Sequence, residues 1–177
     1  MSLLPRNISE LVNSEKRFVQ RPIWDSKLDP RFHVFTAALL VPDDPTAGLE
    51  MRAKFSKQFV DRDCLLQLEF TRGGRDRTEL ARAQWRPFET HTNRQWGPPG
   101  YEGARFYRQS HLHGFEHNFV VDERRMRSGS LPAAVPIDPD PSTLSEFLAF
   151  FGNRFRIINI TDVQLPGASA DLFWVKA

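Results

Sequence analysis

In residues 49–56 and again in residues 64–70, apolar side chains return at every second position. Leu49, Met51, Ala53 and Phe55 alternate with Glu50, Arg52, Lys54 and Ser56, and Cys64, Leu66, Leu68 and Phe70 repeat the pattern against Gln67 and Glu69. A period of two cannot present one face of a helix, so these runs must be strands with one dry and one wet side. The pair Gly73-Gly74 within TRGGRDR joins the second run to a third, residues 79–86, as a hairpin. On that third strand Leu80, Arg82, Gln84 and Arg86 are expected to share one face and Ala81, Ala83 and Trp85 the other, which projects two arginines and a glutamine together.

The flanking segments extend the sheet and cover it. Residues 31–41, RFHVFTAALLV, are apolar on both alternating sets, as in a strand covered on both faces. His33 in this run reads as a hydrogen-bonded core residue. Ile8, Leu11, Val12, Phe18 and Val19 recur at helical spacing and predict one N-terminal amphipathic helix, ended at Arg21-Pro22 because the residue before proline leaves the helical region. Thr143 and Glu146 form a capping box ahead of Leu144, Phe147, Leu148 and Phe151, which predicts a second helix stopping at Gly152 or Asn153. Residues 156–160 and 171–175 read as short strands, and the proline-rich residues 122–141 as a connector without an element. The expected fold is α+β: a single antiparallel, curved sheet of five to seven strands, with an N-terminal helix and another near the C-terminus. A chain of 177 residues can bury a full core within one domain, residues 1–177.

Composition narrows the function classes. The only cysteine, Cys64, lies in an apolar run, so neither an intrachain disulfide nor a cysteine-rich metal site can form. No segment has the apolar length of a membrane span or the pattern of a secretory leader, and a cytoplasmic protein is expected. Net charge is +2, with nineteen arginines to five lysines. The arginine fork suits phosphate and carboxylate groups, so RNA or another anionic ligand is a candidate partner. Walker, dinucleotide-binding, nucleophile-elbow and H-E-x-x-H patterns are all missing.

The chemistry concentrates in residues 85–119, which hold four of the five histidines (His91, His111, His113, His117) and both tyrosines. In extended backbone Tyr107, Gln109, His111 and His113 point one way, and Gly114 ends the strand. Residues 88–105 have no period and read as a long loop over the site, carrying His91, Asn93 and Arg94.

Three readings follow. Metal-free phosphodiester cleavage would use His91, His111, His113 and Tyr107 as acid and base, with Asn93, Arg82, Arg86 and Arg94 holding substrate and no cofactor. Alternatively His111 and His113 hold a divalent transition metal with His117, or with His91 or Glu116, on a cupin-like sheet. There H-x-H-x₃-H resembles the first cupin motif with histidine in place of glutamate. The third reading is a non-catalytic binding module, for which the interleaved arginines and aromatics suit single-stranded RNA.

The order LLQLEF, His91-Thr92-Asn93, His111-Leu112-His113, LSEFLAFFGN and RIINI resembles a family of small uncharacterised bacterial and prophage-borne proteins with H-x-N before H-L-H. The resemblance spans about two-thirds of the chain, with Gly114-Phe115 where an aliphatic residue and tyrosine usually stand. It implies that His91, Asn93, His111 and His113 act as a group, and mobile-element company would fit a toxin or a defence-related role.

Overall fold

The computed structural model describes residues 4–72, 76–121, 126 and 130–166. The expected turn at Gly73-Gly74 and the expected strand at residues 171–175 lie outside them. Nine strands and three α-helices are present among the described residues. The strands are β1 (Arg17–Phe18), β2 (Phe32–Val41), β3 (Asp44–Ser56), β4 (Cys64–Arg72), β5 (Asp76–Trp85), β6 (Thr90–Thr92), β7 (Arg105–Tyr107), β8 (His111–His113) and β9 (Val135–Pro136). The helices are α1 (Ile8–Asn13), α2 (Phe115–Val121) and α3 (Leu144–Arg154). Seven strands form one antiparallel sheet in the order β1-β2-β3-β4-β5-β8-β9, and β6 pairs with β7 in a separate two-stranded sheet. The α+β architecture with one main antiparallel sheet is therefore as the sequence predicts.

Two register rows show how alternation becomes two faces. Across β2 to β9 runs Phe35, Ala53, Leu66, Ala83, Leu112, Val135. Of these, Phe35 through Leu112 are buried hydrophobics of the core. One residue along runs Thr36, Arg52, Gln67, Arg82, His113, all polar. Burial deepens along this second row, from exposed Thr36 through half-buried Arg52, Gln67 and Arg82 to fully enclosed His113. The apolar face carries the helices. From α3, Leu144, Phe147, Leu148 and Phe151 join the core, with Phe147 stacked on Trp85 at 6.1 Å between ring centres. Thr143 Oγ1 accepts the Glu146 amide at 3.1 Å, one half of the expected box, while the Glu146 carboxylate accepts from the Ser142 amide at 2.7 Å instead of from Thr143.

Several boundaries differ from the alternation read in the sequence. A bulge passes over Leu80, since Leu68 pairs with Ala81 but Glu69 pairs with Glu79. The extra residue lets Leu80 bury fully and brings Glu79 beside Arg82, 3.6 Å from it, so Leu80 and Arg82 do not share a face. The N-terminal helix ends at Asn13, and Arg17–Phe18 pair as an edge strand instead. The cause is Lys16, fully enclosed, whose ammonium donates to the carbonyls of Val12 (2.9 Å), Ser14 (2.6 Å) and Phe155 (2.6 Å). It thereby caps α1 and the end of α3 with one charge. The second helix runs past Gly152 to Arg154. Gly152 is needed not as a stop but because a β-carbon there would sit 2.5 Å from the Ile160 side chain. Residues 156–160 form an isolated bridge, Lys16 with Ile157, and a 3₁₀ turn at Ile160–Asp162 rather than a strand. No helix among the described residues is long and apolar enough to cross a membrane.

Candidate metal centre

β8 is only three residues long, and all three are buried. Leu112 belongs to the helix-covered core, so His111 and His113 point to the opposite face, where they stand across from Gln84 and Arg82 of β5. The third ring arrives from the small sheet. His91 on β6 pairs with Phe106 on β7 and stacks on its ring at 6.0 Å between centres. The hairpin carries His91 to 5.4 Å from the ring centre of His111 and 4.5 Å from that of His113; the last two are 5.1 Å apart. One nitrogen from each of His91, His111 and His113 lies within 4.8 Å of the other two.

Each ring's protonation follows from its neighbours. Asn93 is fully buried. Its Nδ2 donates to the carbonyls of Tyr101 and Ala134, both at 2.8 Å, and its Oδ1 accepts the Ala134 amide at 2.9 Å. Those bonds fix the amide orientation, so His91 Nε2 at 3.0 Å from Oδ1 must be the donor, helped by the Pro132 carbonyl at 3.2 Å. The Nδ1 of His91 keeps its lone pair. On His111 the Nδ1–H donates to the Gln109 carbonyl at 2.8 Å, which leaves a lone pair on Nε2. Gln84 contacts that Nε2 at 3.0 Å. With the ring neutral, the contact is a hydrogen bond if the amide turns its NH₂ inward, which the near-symmetry of the group permits.

His113 is different. It is fully enclosed, and neither ring nitrogen has a hydrogen-bond partner. The Leu131 backbone favours its protonated form without reaching hydrogen-bonding geometry. Burial pushes all three imidazoles below their usual basicity: His111 to about 4, His113 well down, His91 to a lesser degree with the Asn93 and Pro132 contacts opposing. Arg82 adds to the effect at every ring. Three neutral imidazoles face one another as a result.

A strap formed by residues 131–134 covers the group. Leu131, Ala133 and Ala134 are buried, and two asparagine side chains hold the backbone as strand partners would. Asn93 exchanges both hydrogen bonds with Ala134. Asn118 exchanges both with Ala133 at 2.9 Å and also donates to the Gly114 carbonyl. Only His91 is partly open to solvent. Beside the group, a cavity of 450 Å³ lined by Phe32, Lys54, Leu65 and Phe88 reaches Gln84, the residue in contact with His111.

Of the residues singled out from sequence, the structure gathers His91, Asn93, His111, His113 and Arg82. Tyr107 does not share their face. Arg108 takes a left-handed conformation (φ 52°), which breaks the run into β7 and β8 in different sheets and leaves Tyr107 67% exposed. His117 is exposed on α2, and Glu116 is engaged by Arg154 at 2.7 Å, so the third ring of the cluster is His91 and not His117. Arg86, also left-handed (φ 43°), leaves the row of Arg82 and Gln84 and binds Asp140 at 3.3 Å. Arg94 is exposed on a 3₁₀ turn, within a segment that holds β6 and this turn rather than being a structureless loop. Gln84 was visible as a neighbour of Arg82. Asn118 and the strap were not, because no period marks them. No family model, no curated protein and no solved structure matches this chain.

Proposed function

We propose that this protein is a metal-dependent enzyme in which His91, His111 and His113 hold one divalent transition ion. The observation that carries the reading is His113. A buried imidazole with both nitrogens unpartnered costs about 1–3 kcal/mol, and a metal bound by one of them removes part of that cost. The remaining chemistry agrees. Ligating histidines must be neutral, and burial makes them so. Each of the other two donates its single N–H to a fixed oxygen, His91 to Asn93 and His111 to the Gln109 carbonyl, as metal-bound histidines characteristically do. Imidazole nitrogens on a tetrahedral zinc lie about 3.3 Å apart, and each ring already brings a nitrogen within 4.8 Å of the other two, so the rings would draw inward around an ion. Three histidines leave one coordination position open, the pattern of catalytic rather than structural sites, and a metal there supplies Lewis-acid activation of water or of a polar bond.

The protein's own groups would do the rest. Asn93 sets the His91 tautomer, the strap excludes water from His113, and Gln84 would release the Nε2 of His111, whose lone pair the ion takes. The metal-free phosphodiesterase reading calls for a histidine that carries its proton at neutral pH, a role that the depressed basicity of His111 and His113 disfavours.

One assay separates the two. Protein stripped with chelator and protein reloaded with zinc, iron or manganese are compared on RNA and on aryl esters. The expected result is hydrolysis that appears only with metal and is lost in His111→Ala and His113→Ala. RNA cleavage by the stripped protein, lost in the same variants, would establish the metal-free reading instead.

A further inference from the structure

We propose that the ligand of this centre carries a terminal oxyanion, a carboxylate or a phosphate, and that Arg82 grips it beside the metal. The proposal rests on the metal reading above and adds the substrate class. Arg82 stands directly across from His113 in the β5–β8 register, on the same face of the sheet. Its charge reaches all three imidazoles. Within the protein the guanidinium has one ion pair, with Glu79 Oε1 at 3.6 Å, which is too long for a hydrogen bond, so its buried Nε is left without a hydrogen-bond partner among the described residues. Burial raises the Glu79 pKa, against the opposing pull of Arg82 and of a Gln67 contact. The Arg82 side chain keeps 25% of its surface exposed although its Nε is buried.

A dication held by three neutral rings keeps its full charge, and a guanidinium next to it compounds the positive potential in a poorly solvated place. Neutral ligands leave that potential uncompensated. An oxyanion compensates it with one oxygen at the open coordination position and another on the planar donor edge of Arg82. Carboxylate and phosphate share that chemistry, and neither Arg86 nor Arg94 competes for it, since both lie elsewhere.

The test is the cobalt(II)-loaded full chain, whose visible absorption reports the coordination sphere, titrated separately with acetate and with phenyl phosphate. The expected result is a saturable spectral change, with Arg82→Gln weakening the anion at least about tenfold while cobalt stoichiometry stays unchanged. Whichever anion binds more tightly to the wild type identifies the class. Arg82→Lys keeps the charge without the fork and is expected to fall between the two. No saturable change in the wild type, or equal anion affinity in wild type and Arg82→Gln, overturns the proposal. Should Arg82→Gln misfold by circular dichroism, the lysine variant carries the comparison, and affinity unchanged in it overturns the fork. A chain that shows no cobalt absorption before any anion is added overturns the metal reading, and this one with it.

Discussion

Asn93→Ala removes four hydrogen bonds at once: two donated to the Tyr101 and Ala134 carbonyls, and two accepted from the Ala134 amide and His91 Nε2. The residue is fully buried, so water cannot replace them without entering. At about 1 kcal/mol net for each bond, the loss sums to about 4 kcal/mol, a large share of the 5–15 kcal/mol typical of a whole domain. A second effect is separable from the first. His91 loses the oxygen that pins its tautomer, but the Pro132 carbonyl at 3.2 Å still accepts from Nε2. Removal of such an outer partner costs metal affinity 10–100-fold in general, and with one acceptor retained the expected loss is at the lower end, about tenfold. Urea unfolding of the stripped protein measures the first effect, and competition for zinc against a chromophoric chelator measures the second. Zinc affinity equal to wild type in a folded Asn93→Ala would refute the tautomer argument, whatever happened to stability.

His113→Phe replaces two unpartnered nitrogens with carbon and is expected to stabilise the metal-free protein by about 1–2 kcal/mol while abolishing metal binding; a lower urea midpoint than wild type would mean that the ring is hydrogen-bonded in solution. Lys16 has its pKa lowered to about 8 by burial and then by Arg156. Between about pH 8 and 10 the unfolded chain therefore binds more protons than the folded one, and wild-type stability rises with pH. The gain amounts to ~3 kcal/mol, and Lys16→Met is expected to lack it in parallel unfolding curves; matching pH slopes would show that the three carbonyls hold the lysine charged throughout. Gly48→Ala places a β-carbon in a left-handed conformation (φ 69°) against the Thr71 carbonyl and is expected to cost about 2–4 kcal/mol by thermal or urea unfolding. A cost below 1 kcal/mol would show that the β3–β4 pairing relaxes there.

What could be read from the residues alone was whatever repeats locally. The period of two in β3 and β4 and the capped period of 3.6 in α3 are properties of adjacent residues, and the structure keeps them. The bulge at Leu80 left no trace in composition, because a single inserted residue changes register without changing residue type. One of the three carbonyls that accept hydrogen bonds from Lys16 is that of Phe155, from the other end of the chain, which no local pattern reveals. The site divided in the same way. The pair His111 and His113 follows from strand geometry, whereas the third ring depends on a hairpin, β6–β7, buried in a stretch without periodicity. His117 is nearer in sequence, but it lies one turn into α2 and faces out. The strap was invisible for a related reason: its hydrogen bonds come from the side chains of Asn93 and Asn118, so its backbone obeys no strand pattern of its own.

In the proposed centre three imidazoles from two different sheets bind one ion. Elemental analysis of the purified wild type beside the single variants His91→Ala, His111→Ala, His113→Ala and His117→Ala tests it most directly. One equivalent of a divalent transition metal is expected in the wild type and in His117→Ala, with that metal lost in each of the other three. A metal-free wild type that takes up none on reconstitution, or a His117→Ala variant that loses its metal while His91→Ala retains it, would refute the three-histidine centre.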